Sequence, residues 1–466
     1  MVLTRKGFTQ VVSNAFAGMG FSAESPSVHE FPMEMFLPGS DLSPLRENID
    51  RIVYGLTEWQ PKNSRAKIVG PEMITVEGAD YQTAVDNMNA LFLRNLWGDG
   101  LPLVPATEEC VNWILTGTDL RRDKVLGKVL PQAGIATVEA IAANLAMAGG
   151  RPEYLPVLIA AVEAILDPAS THFHWSASTN STYPAVIING AAAKQLRINS
   201  GYGCMGPDPQ HPAGASIGRA IRFVLEHIGG AIPGVGTMAI YGGASRYTNI
   251  VFAEDEAGLP REWEPLNVSY WGYPRGSNTL TLLPVTGQAN VSGGTTTTTG
   301  ESVLQTLNRY AGFMRSPYNN YFQRPTMYEG SPGIVVMARG TAAGFSAQGW
   351  SKEKIKEFLW ENSKIPWDDN LKYRGLEDAR MRIRGLEGRI VEGKPWPITS
   401  KPRNIMIAVT GGAQSGHGYW MQLGQAAPTK AKITLPKNWD ALLKQAEKDL
   451  GPIPADPTEP LAEYRL

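Results

Sequence analysis

Apolar residues recur every three or four positions in four segments of the first third of the chain, which is the spacing of a helix with one buried face. Thr107, Thr137 and Pro152 stand where capping or first-turn residues are favoured. The predicted helices span residues 82–96, 107–115, 138–148 and 152–166. Their inner faces are rich in alanine, so we expect them to pack closely as one helical layer.

Short apolar runs bounded by glycine, asparagine or proline predict buried strands at 185–188, 250–252, 280–283, 334–337 and 405–409. A strand, a glycine-rich turn and a helix follow one another at 185–228 and again at 334–359, with Ser216 and Ser351 as predicted helix caps. This order favours an α/β fold in which a helical layer packs on a mixed or parallel sheet. Extended N- and C-terminal arms are expected at the two ends.

The length of 466 residues is about three times that of a usual single domain, so more than one packed unit is expected. We predict an N-terminal arm over 1–65 and a mostly helical domain over 66–170. An α/β domain with the functional site is predicted over 171–430, followed by a C-terminal helix and tail over 431–466.

The charge balance excludes one class of partner. Lys and Arg number 43 and Asp and Glu number 44, so a net charge of -1 offers a nucleic acid no basic surface.

The two cysteines are too few for a disulfide framework, which favours a reducing cytoplasm. The first residues lack the apolar core of a secretory signal, and the apolar stretch 154–166 is shorter than the about 20 residues of a spanning helix. We therefore expect a cytoplasmic protein without a membrane partner, and the 12 Trp, 16 Tyr and long arm favour a homo-oligomer.

A glycine-rich loop at 199–207 leads into the helix that Ser216 is predicted to cap. Helix N-termini present unpaired N–H groups, and glycines let an oxyanion approach the backbone, so this segment predicts an anion site. Arg219 would add a charge-assisted hydrogen bond to a carboxylate or phosphate. The alternative is a tight turn with Arg219 in an internal ion pair. The predicted substrate-binding residues here are Ser200, Gly201, Tyr202, Gly203, Ser216 and Arg219.

Imidazoles at two places are candidates for catalysis. His172 and His174 would face the same way in an extended segment, where they could bind one divalent metal or divide acid and base roles. The alternative is a hydrogen-bonded loop. His417 follows the predicted strand at 405–409, and ligands of open α/β sheets bind at such strand ends.

Two further groups are weighed against a structural role. Glu254 follows the strand at 250–252 and is a candidate substrate contact, although acidic loops are often only solvated. Cys204 lies in the glycine-rich loop, where a helix dipole would lower its pKa and make it nucleophilic; the alternative is a small buried residue.

Several segments between about residues 95 and 420 carry a family resemblance. They are DGLPLVPATE at 99–108, AMAGGRPEYLP at 146–156, VIING at 186–190, LRINSG at 196–201, IGRAI at 217–221, IGGAIPG at 228–234 and WEPL at 263–266. In these segments the chain resembles poorly characterised bacterial proteins associated with the UGSC family of thiol or selenol proteins. The resemblance implies an enzyme, or a subunit whose partner protein supplies a reactive thiol or selenol. The chain has no UGSC segment, and it has Gly150 where such proteins often have Cys.

Two hypotheses for the function follow. The first is a cytoplasmic enzyme that acts on a small oxyanion-bearing organic molecule by lyase or hydrolytic chemistry. In it His172, His174 or His417 moves protons, or His172 and His174 hold a metal. The second is a non-catalytic or accessory subunit that partners a thiol or selenol protein in a redox or bond-cleaving system. The sequence identifies no organic cofactor.

Overall fold

The structure is a computed structural model of the whole chain. It describes residues 1–5, 7–22, 28–32, 35, 39–60, 62, 73–242, 248–292, 300–315, 333–383, 391–413, 416–424 and 426–453.

The N-terminal residues form a small unit with its own apolar cluster of Phe31, Met35 and Ile52. Its first and second strands pair in parallel, and Asn14 Nδ2 donates a hydrogen bond to Val235 O in the body at 2.9 Å. The elements are β1 (Val2–Arg5), α1 (Thr9–Gly18), β2 (Val28–Phe31), α2 (Ser43–Glu47) and α3 (Ile49–Thr57).

A helical layer follows, as the periodicity predicts. Thr107 and Thr137 cap their helices by accepting the N–H groups of Cys110 and Ala140 at 3.2 and 3.1 Å, which confirms both predicted caps. A short 3₁₀ turn, Pro152–Tyr154, leads into the fourth helix. The elements are α4 (Tyr81–Arg94), α5 (Glu108–Leu115), β3 (Val125–Val129), β4 (Gly134–Thr137), α6 (Val138–Met147), α7 (Leu155–Leu166) and α8 (His172–Ala177).

The remaining elements build the sheet and its covering helices, and each strand predicted from an apolar run is present. The first group is β5 (Tyr183–Asn189), α9 (Ala191–Gln195), α10 (Pro212–Phe223), β6 (Ile250–Ala253), α11 (Leu266–Ser269) and β7 (Thr279–Ser292). The second is α12 (Gly300–Met314), β8 (Gly333–Met337), α13 (Arg339–Ala347), α14 (Lys352–Asn362), α15 (Trp367–Arg374), α16 (Leu376–Ile383), β9 (Met406–Val409) and β10 (His417–Leu423). The chain then adds β11 (Thr429–Lys432) and α17 (Trp439–Leu450).

The large sheet contains one arrangement twice. β5 and β6 run parallel and β5 pairs antiparallel with β7, while β8 and β9 run parallel and β8 pairs antiparallel with β10. β7 and β10 then pair antiparallel, which gives the order β6-β5-β7-β10-β8-β9 with β11 beside β7. The fold is therefore α/β with a mixed sheet, as predicted from the sequence. The domain boundaries remain a prediction.

The sheet curls so that its two edge strands, β6 and β9, come together at their carboxyl ends. There Asp255 N, just after β6, donates a hydrogen bond to Val409 O of β9 at 2.8 Å. Alternate residues point into and out of this curl, and both faces are buried. On β5, Ala185 and Ile187 join the inner cluster, whereas Val186 and Ile188 pack outward against the helical layer. Strands buried on both faces read as continuous apolar runs, which is why the sequence revealed them.

Within the described residues, no single helix is long and apolar enough to cross a membrane. One bent pair of helical segments, Pro152–Leu166 with Pro168–Ala177, passes that test jointly by length and composition alone.

Helix α10 lies directly on the backbone of β6 through two glycines one turn apart. A Cβ atom at Gly214 would lie 2.9 Å from Val251 O, and one at Gly218 would lie 2.3 Å from Asn249 O. The side chain of Asn249 also donates to Gly218 O at 3.1 Å. No residue larger than glycine fits at Gly218 unless the helix moves away from the sheet.

Gly218→Ala is predicted to destabilise the protein by about 1–3 kcal/mol, because the added methyl group meets backbone atoms that cannot rotate away. The matched control is Gly312→Ala in α12, where a Cβ would meet no heavy atom within 4 Å. That change is expected to stabilise by about 0.5–1 kcal/mol through helix propensity. Urea unfolding followed by circular dichroism measures both, and equal effects of the two changes would contradict the close packing of α10.

Candidate functional site

Helix α10 and its extension carry three charged side chains on one face. Arg219, Arg222 and Glu226 follow one another at spacings of three and four residues, which places them on a single stripe. The chain widens into a π-helix at Val224–Ile228, directly after α10. Short π segments within α-helices are frequent at functional sites.

This stripe borders a cavity of about 380 Å³. Arg222 and Glu226 lie on one side, Asp99 contributes from the loop after α4, and Asn249 contributes from the start of β6. The other walls combine the hydroxyl groups of Ser176, Thr182 and Thr237 with apolar and aromatic side chains: Trp175, Tyr183, Leu225, Pro233, Ile240 and Tyr241. Tyr241 is 92% exposed, so it stands at the rim. A concave surface that combines apolar walls with polar groups is a usual form of a small-molecule site.

Arg222 and Glu226 form an ion pair in which each side chain keeps a polar atom without a partner. Arg222 Nη2 lies 2.6 Å from Glu226 Oε1. Arg222 Nε and Glu226 Oε2 are both buried and have no hydrogen-bond partner among the described residues. Native structures pair nearly all such atoms, so an open donor and an open acceptor on adjoining side chains indicate a place for a ligand or ordered water.

In the neighbouring ion pair, Arg219–Asp99, both carboxylate oxygens and two guanidinium nitrogens are paired. Arg219 Nε and Nη2 bind the two carboxylate oxygens of Asp99 at 2.8 and 2.9 Å, and Nη2 also donates to Pro102 O at 3.0 Å. This fork-to-fork geometry occupies both groups. Asp99 and Arg219 belong to two of the segments that carry the family resemblance, and a third, 228–234, lines the cavity with Ala231 and Pro233.

Burial changes the acidity of Glu226, which is only 5% exposed. Loss of hydration raises the pKa of this carboxyl to about 7, and the negative charge of Asp99 adds to the rise. The charge and hydrogen bond of Arg222 oppose it without cancelling it. Near neutral pH Glu226 is therefore present in both its protonated and its ionised form, as a general acid or base requires.

An imidazole follows Glu226 directly. His227 Nδ1 lies 2.7 Å from Asn144 Oδ1, and Asn144 Nδ2 donates to Ala140 O at 2.8 Å, so the ring hydrogen is on Nδ1. Nε2 is buried without a partner among the described residues. Burial lowers the pKa of His227 to about 4, so the ring is neutral and Nε2 is a hydrogen-bond acceptor.

The predicted glycine-rich turn lies elsewhere, at the carboxyl ends of the parallel strands. Ser200 O accepts hydrogen bonds from Thr410 Oγ1 at 2.8 Å and Gly411 N at 3.0 Å. The ring of Tyr202 covers Gly412, where a Cβ would lie 2.9 Å from it. The structure therefore brings Ser200, Gly201, Tyr202 and Gly203 against the loop after β9, as strand-end placement suggests.

Within that turn the polar groups satisfy one another. Gly201 N donates to Asn199 Oδ1 at 2.7 Å, and Asn199 Nδ2 donates to Tyr202 O at 2.8 Å and to Asp208 Oδ2 at 2.9 Å. Asp208 in turn pairs with His211 Nδ1. The imidazole connected to this turn is therefore His211, which the sequence analysis did not single out.

One expectation about the helix after the turn is wrong. α10 begins at Pro212 with His211 as its N-cap, so Ser216 lies inside the helix and does not cap it. Its hydroxyl is 3.4 Å from Gly149 O. Arg219 lies beyond it in the internal ion pair with Asp99, which was the alternative considered from the sequence. Pro212 starts the helix because proline is favoured in the first turn.

His172 and His174 do not lie in an extended segment, because α8 begins at His172. In an α-helix residues two apart point in nearly opposite directions, and here His172 is buried while His174 is exposed. His172 Nε2 accepts the N–H of Leu130 at 3.0 Å, and burial lowers its pKa to about 4. Among the described residues, no group of three or more His, Cys, Asp or Glu side chains is placed to hold a metal ion.

Glu254 is buried at the end of β6 with its carboxylate occupied. Oε2 accepts Asn189 Nδ2 at 2.7 Å and Leu266 N at 2.6 Å, and Oε1 lies 3.4 Å from Lys352 Nζ. These bonds give Glu254 an internal partner on each oxygen, so the structure shows it joining β5, β6 and α14.

His417 and Cys204 complete the predicted set. His417 is exposed at the start of β10, with Nδ1 3.1 Å from Asn290 Oδ1. Cys204 is buried inside the curled sheet, and burial raises the pKa of its thiol to about 11, opposite to the expected lowering. A thiol with such a pKa is a poor nucleophile near neutral pH.

Comparisons of the chain with protein-family models, with curated proteins and with solved structures found no match. The resemblance to UGSC-associated proteins therefore remains a prediction.

The sequence contains one local signal of this cavity. Arg219, Arg222 and Glu226 share a helical stripe, and a charged stripe beside an apolar one is a detectable pattern. Of the three, only Arg219 was predicted as a site residue. The raised pKa of Glu226 depends in part on Asp99, which is distant in the chain and gives no local signal.

Glu226→Gln is predicted to change how stability depends on pH. In the wild type the folded state keeps its proton up to a pKa of about 7, whereas the unfolded state releases it near the model value of 4.5. The contribution of Glu226 to the free energy of unfolding therefore falls as pH rises through this window, by about 3 kcal/mol in all. Glutamine removes this contribution and leaves the opposite ones of His172 and His227, whose pKa values burial lowers, so the unfolding free energy of the variant relative to that of the wild type should rise with pH. Urea unfolding between pH 5 and about 7.5 measures it, with Glu447→Gln on exposed α17 as control; an unchanged slope in Glu226→Gln would contradict the raised pKa.

Proposed function

We propose that the protein is an enzyme that binds a small oxyanion-bearing organic molecule in the cavity beside Glu226 and transfers a proton with that carboxyl group. The observation that carries the proposal is the half-used ion pair: Arg222 Nε and Glu226 Oε2 are buried, adjacent and without partners among the described residues. One can donate to an oxyanion while the other gives or accepts a proton. Lyase or hydrolytic chemistry needs both roles.

The charge of the cavity supports an anionic ligand. Arg219 is neutralised by Asp99, so the net charge available to a ligand comes from Arg222 and Glu226. When Glu226 is protonated, the charge of Arg222 is no longer balanced by its partner. A bound anion then restores neutrality, and by linkage anion binding favours the protonated form of Glu226.

The walls define the size and shape of the ligand. A volume of about 380 Å³ suits a small molecule, and the flat faces of Trp175, Tyr183 and Tyr241 suit an apolar or unsaturated portion. The ligand would place its oxyanion at Arg222 and the atom that gains or loses a proton at Glu226.

Small carboxylates are predicted to raise the melting temperature of the wild type. Suitable probes are malonate, succinate, benzoate and inorganic phosphate, each against chloride at equal ionic strength. A probe at about one hundred times its Kd adds about 2.7 kcal/mol. The rise should be larger at pH 6 than at pH 8, because protonated Glu226 leaves Arg222 unpaired.

Arg222→Met should abolish this rise. The matched control is Arg380→Met, which removes an exposed guanidinium paired with Glu392 and should leave the rise intact. If Arg222→Met responds to every probe as the wild type does, the cavity is not an oxyanion site.

Proton transfer is tested separately with panels of 2-oxo acids and 3-hydroxy acids in D₂O, followed by proton NMR. We expect loss of an exchangeable C–H signal or growth of an olefinic signal with the wild type. Glu226→Gln should slow either change by about 100-fold or more, the usual contribution of a general acid or base. An equal rate in Glu226→Gln would assign the proton transfer to another group.

A further inference from the structure

A second concave surface lies on the other half of the fold, where α14 meets the turn before β9. This groove has a volume of about 570 Å³ and includes Tyr270, Trp271, Lys356, Glu357 and Arg403. It shares no lining residue with the cavity at Glu226.

Two lysines one turn apart on α14 are both buried, but only one has its partners within the protein. Lys352 is 2% exposed, and its Nζ donates to Glu264 O at 2.7 Å and Ile407 O at 3.2 Å beside the carboxylate of Glu254. Lys356 is 6% exposed, lines the groove, and makes no hydrogen bond or ion pair to any residue that the structure describes. The stem of Lys356 is therefore packed within the protein while its amine opens onto the groove, where a ligand can reach it.

The surroundings of Lys356 favour its neutral form. Burial lowers the pKa of this amine, the positive charge of Lys352 lowers it further, and Glu353 opposes both. Glu357 and Arg403 are the other charged groups that line the groove. A neutral amine has the lone pair that a nucleophile needs, and buried lysines of this kind are suited to Schiff-base chemistry.

The other groups in the groove define what would bind. Arg403 is an exposed guanidinium, suited to an acidic group of a ligand. Tyr270 and Trp271 stand edge to face with ring centroids 4.7 Å apart and offer an apolar surface. The carboxyl groups of Glu353 and Glu357 can carry protons to and from an oxygen that leaves.

We propose that Lys356 is the reactive amine of a second site, which captures a small aldehyde or ketone bearing an acidic group as a Schiff base. The lone pair of Nζ attacks the carbonyl carbon and forms a C–N bond. The two hydrogens of the amine leave with the carbonyl oxygen as water when the C=N bond forms. No oxidant or reductant is consumed.

The test traps this bond in the full-length protein. The wild type is incubated with glyoxylate or pyruvate and sodium cyanoborohydride, which reduces a Schiff base to a stable secondary amine, and the labelled peptide is identified by mass spectrometry. Lys356 should be labelled several-fold faster near neutral pH than Lys354, an exposed lysine on the same helix, because a lowered pKa supplies more neutral amine. The pH midpoint of labelling should also be lower for Lys356.

Two comparisons separate the site from general lysine reactivity. Lys356→Met should remove the fast labelling and leave that of Lys354 unchanged, with the melting temperature as a check on folding. Arg403→Gln should slow capture of glyoxylate without slowing that of propanal, which has no acidic group. If Lys356 in the wild type is labelled no faster than Lys354, the proposal is overturned whatever the variants do. If Arg403→Gln leaves glyoxylate capture unchanged, recognition of the acidic group is overturned.

Discussion

The contact between α10 and β6 determines where the charged residues of the cavity stand. Gly214 and Gly218 bring the helix so close to the strand that backbone carbonyls occupy the space of a side chain. Arg222 and Glu226 follow Gly214 and Gly218 at steps of four residues, so they lie on the same side of the helix, one and two turns beyond the contact. A helix held farther from the sheet would displace these groups relative to Asp99 and Tyr183, so the close packing at the glycines fixes the position of the ion pair.

Three arginine–carboxylate pairs in the body differ in how fully their hydrogen-bonding atoms are used. Arg219–Asp99 and Arg339–Asp255 both close through Nε and Nη2, so each fork is filled by its own carboxylate. Arg222–Glu226 uses Nη2 alone. A buried pair that is only half used is expensive, since desolvation is incompletely repaid. The protein relieves part of this cost by holding the proton on Glu226 more tightly, which is the property that suits proton transfer near neutral pH.

The duplicated sheet places the two proposed sites in corresponding positions. In the first unit α10 lies in the connection between the parallel strands β5 and β6, and in the second α14 lies in the connection between β8 and β9. The buried Glu226 directly follows the first helix in its π-helical extension, and the buried Lys356 lies within the second. Lys352 links the units, since it joins α14 to Glu254 at the end of β6. The strand ends between them are joined by hydrogen bonds within the protein. Thr410 Oγ1 donates to Ser200 O, Ala253 N to Asn199 O and Asp255 N to Val409 O, so this junction is a structural centre.

The sequence by itself determined the helical layer, each of the predicted strands and the α/β class, because periodicity and continuous apolar runs are local consequences of burial. It also contained the DGLP and GRA segments that meet at the cavity. Only the tertiary structure decided which buried charged groups keep atoms without a partner. Arg219 and Arg222 lie on one stripe of one helix. Asp99 pairs with Arg219 through both carboxylate oxygens, whereas Arg222 pairs with Glu226 through one nitrogen only. His172 and Cys204 lost their predicted roles for the same reason: burial and hydrogen-bond partners set the protonation of a side chain, and those partners come from parts of the chain that no local pattern connects.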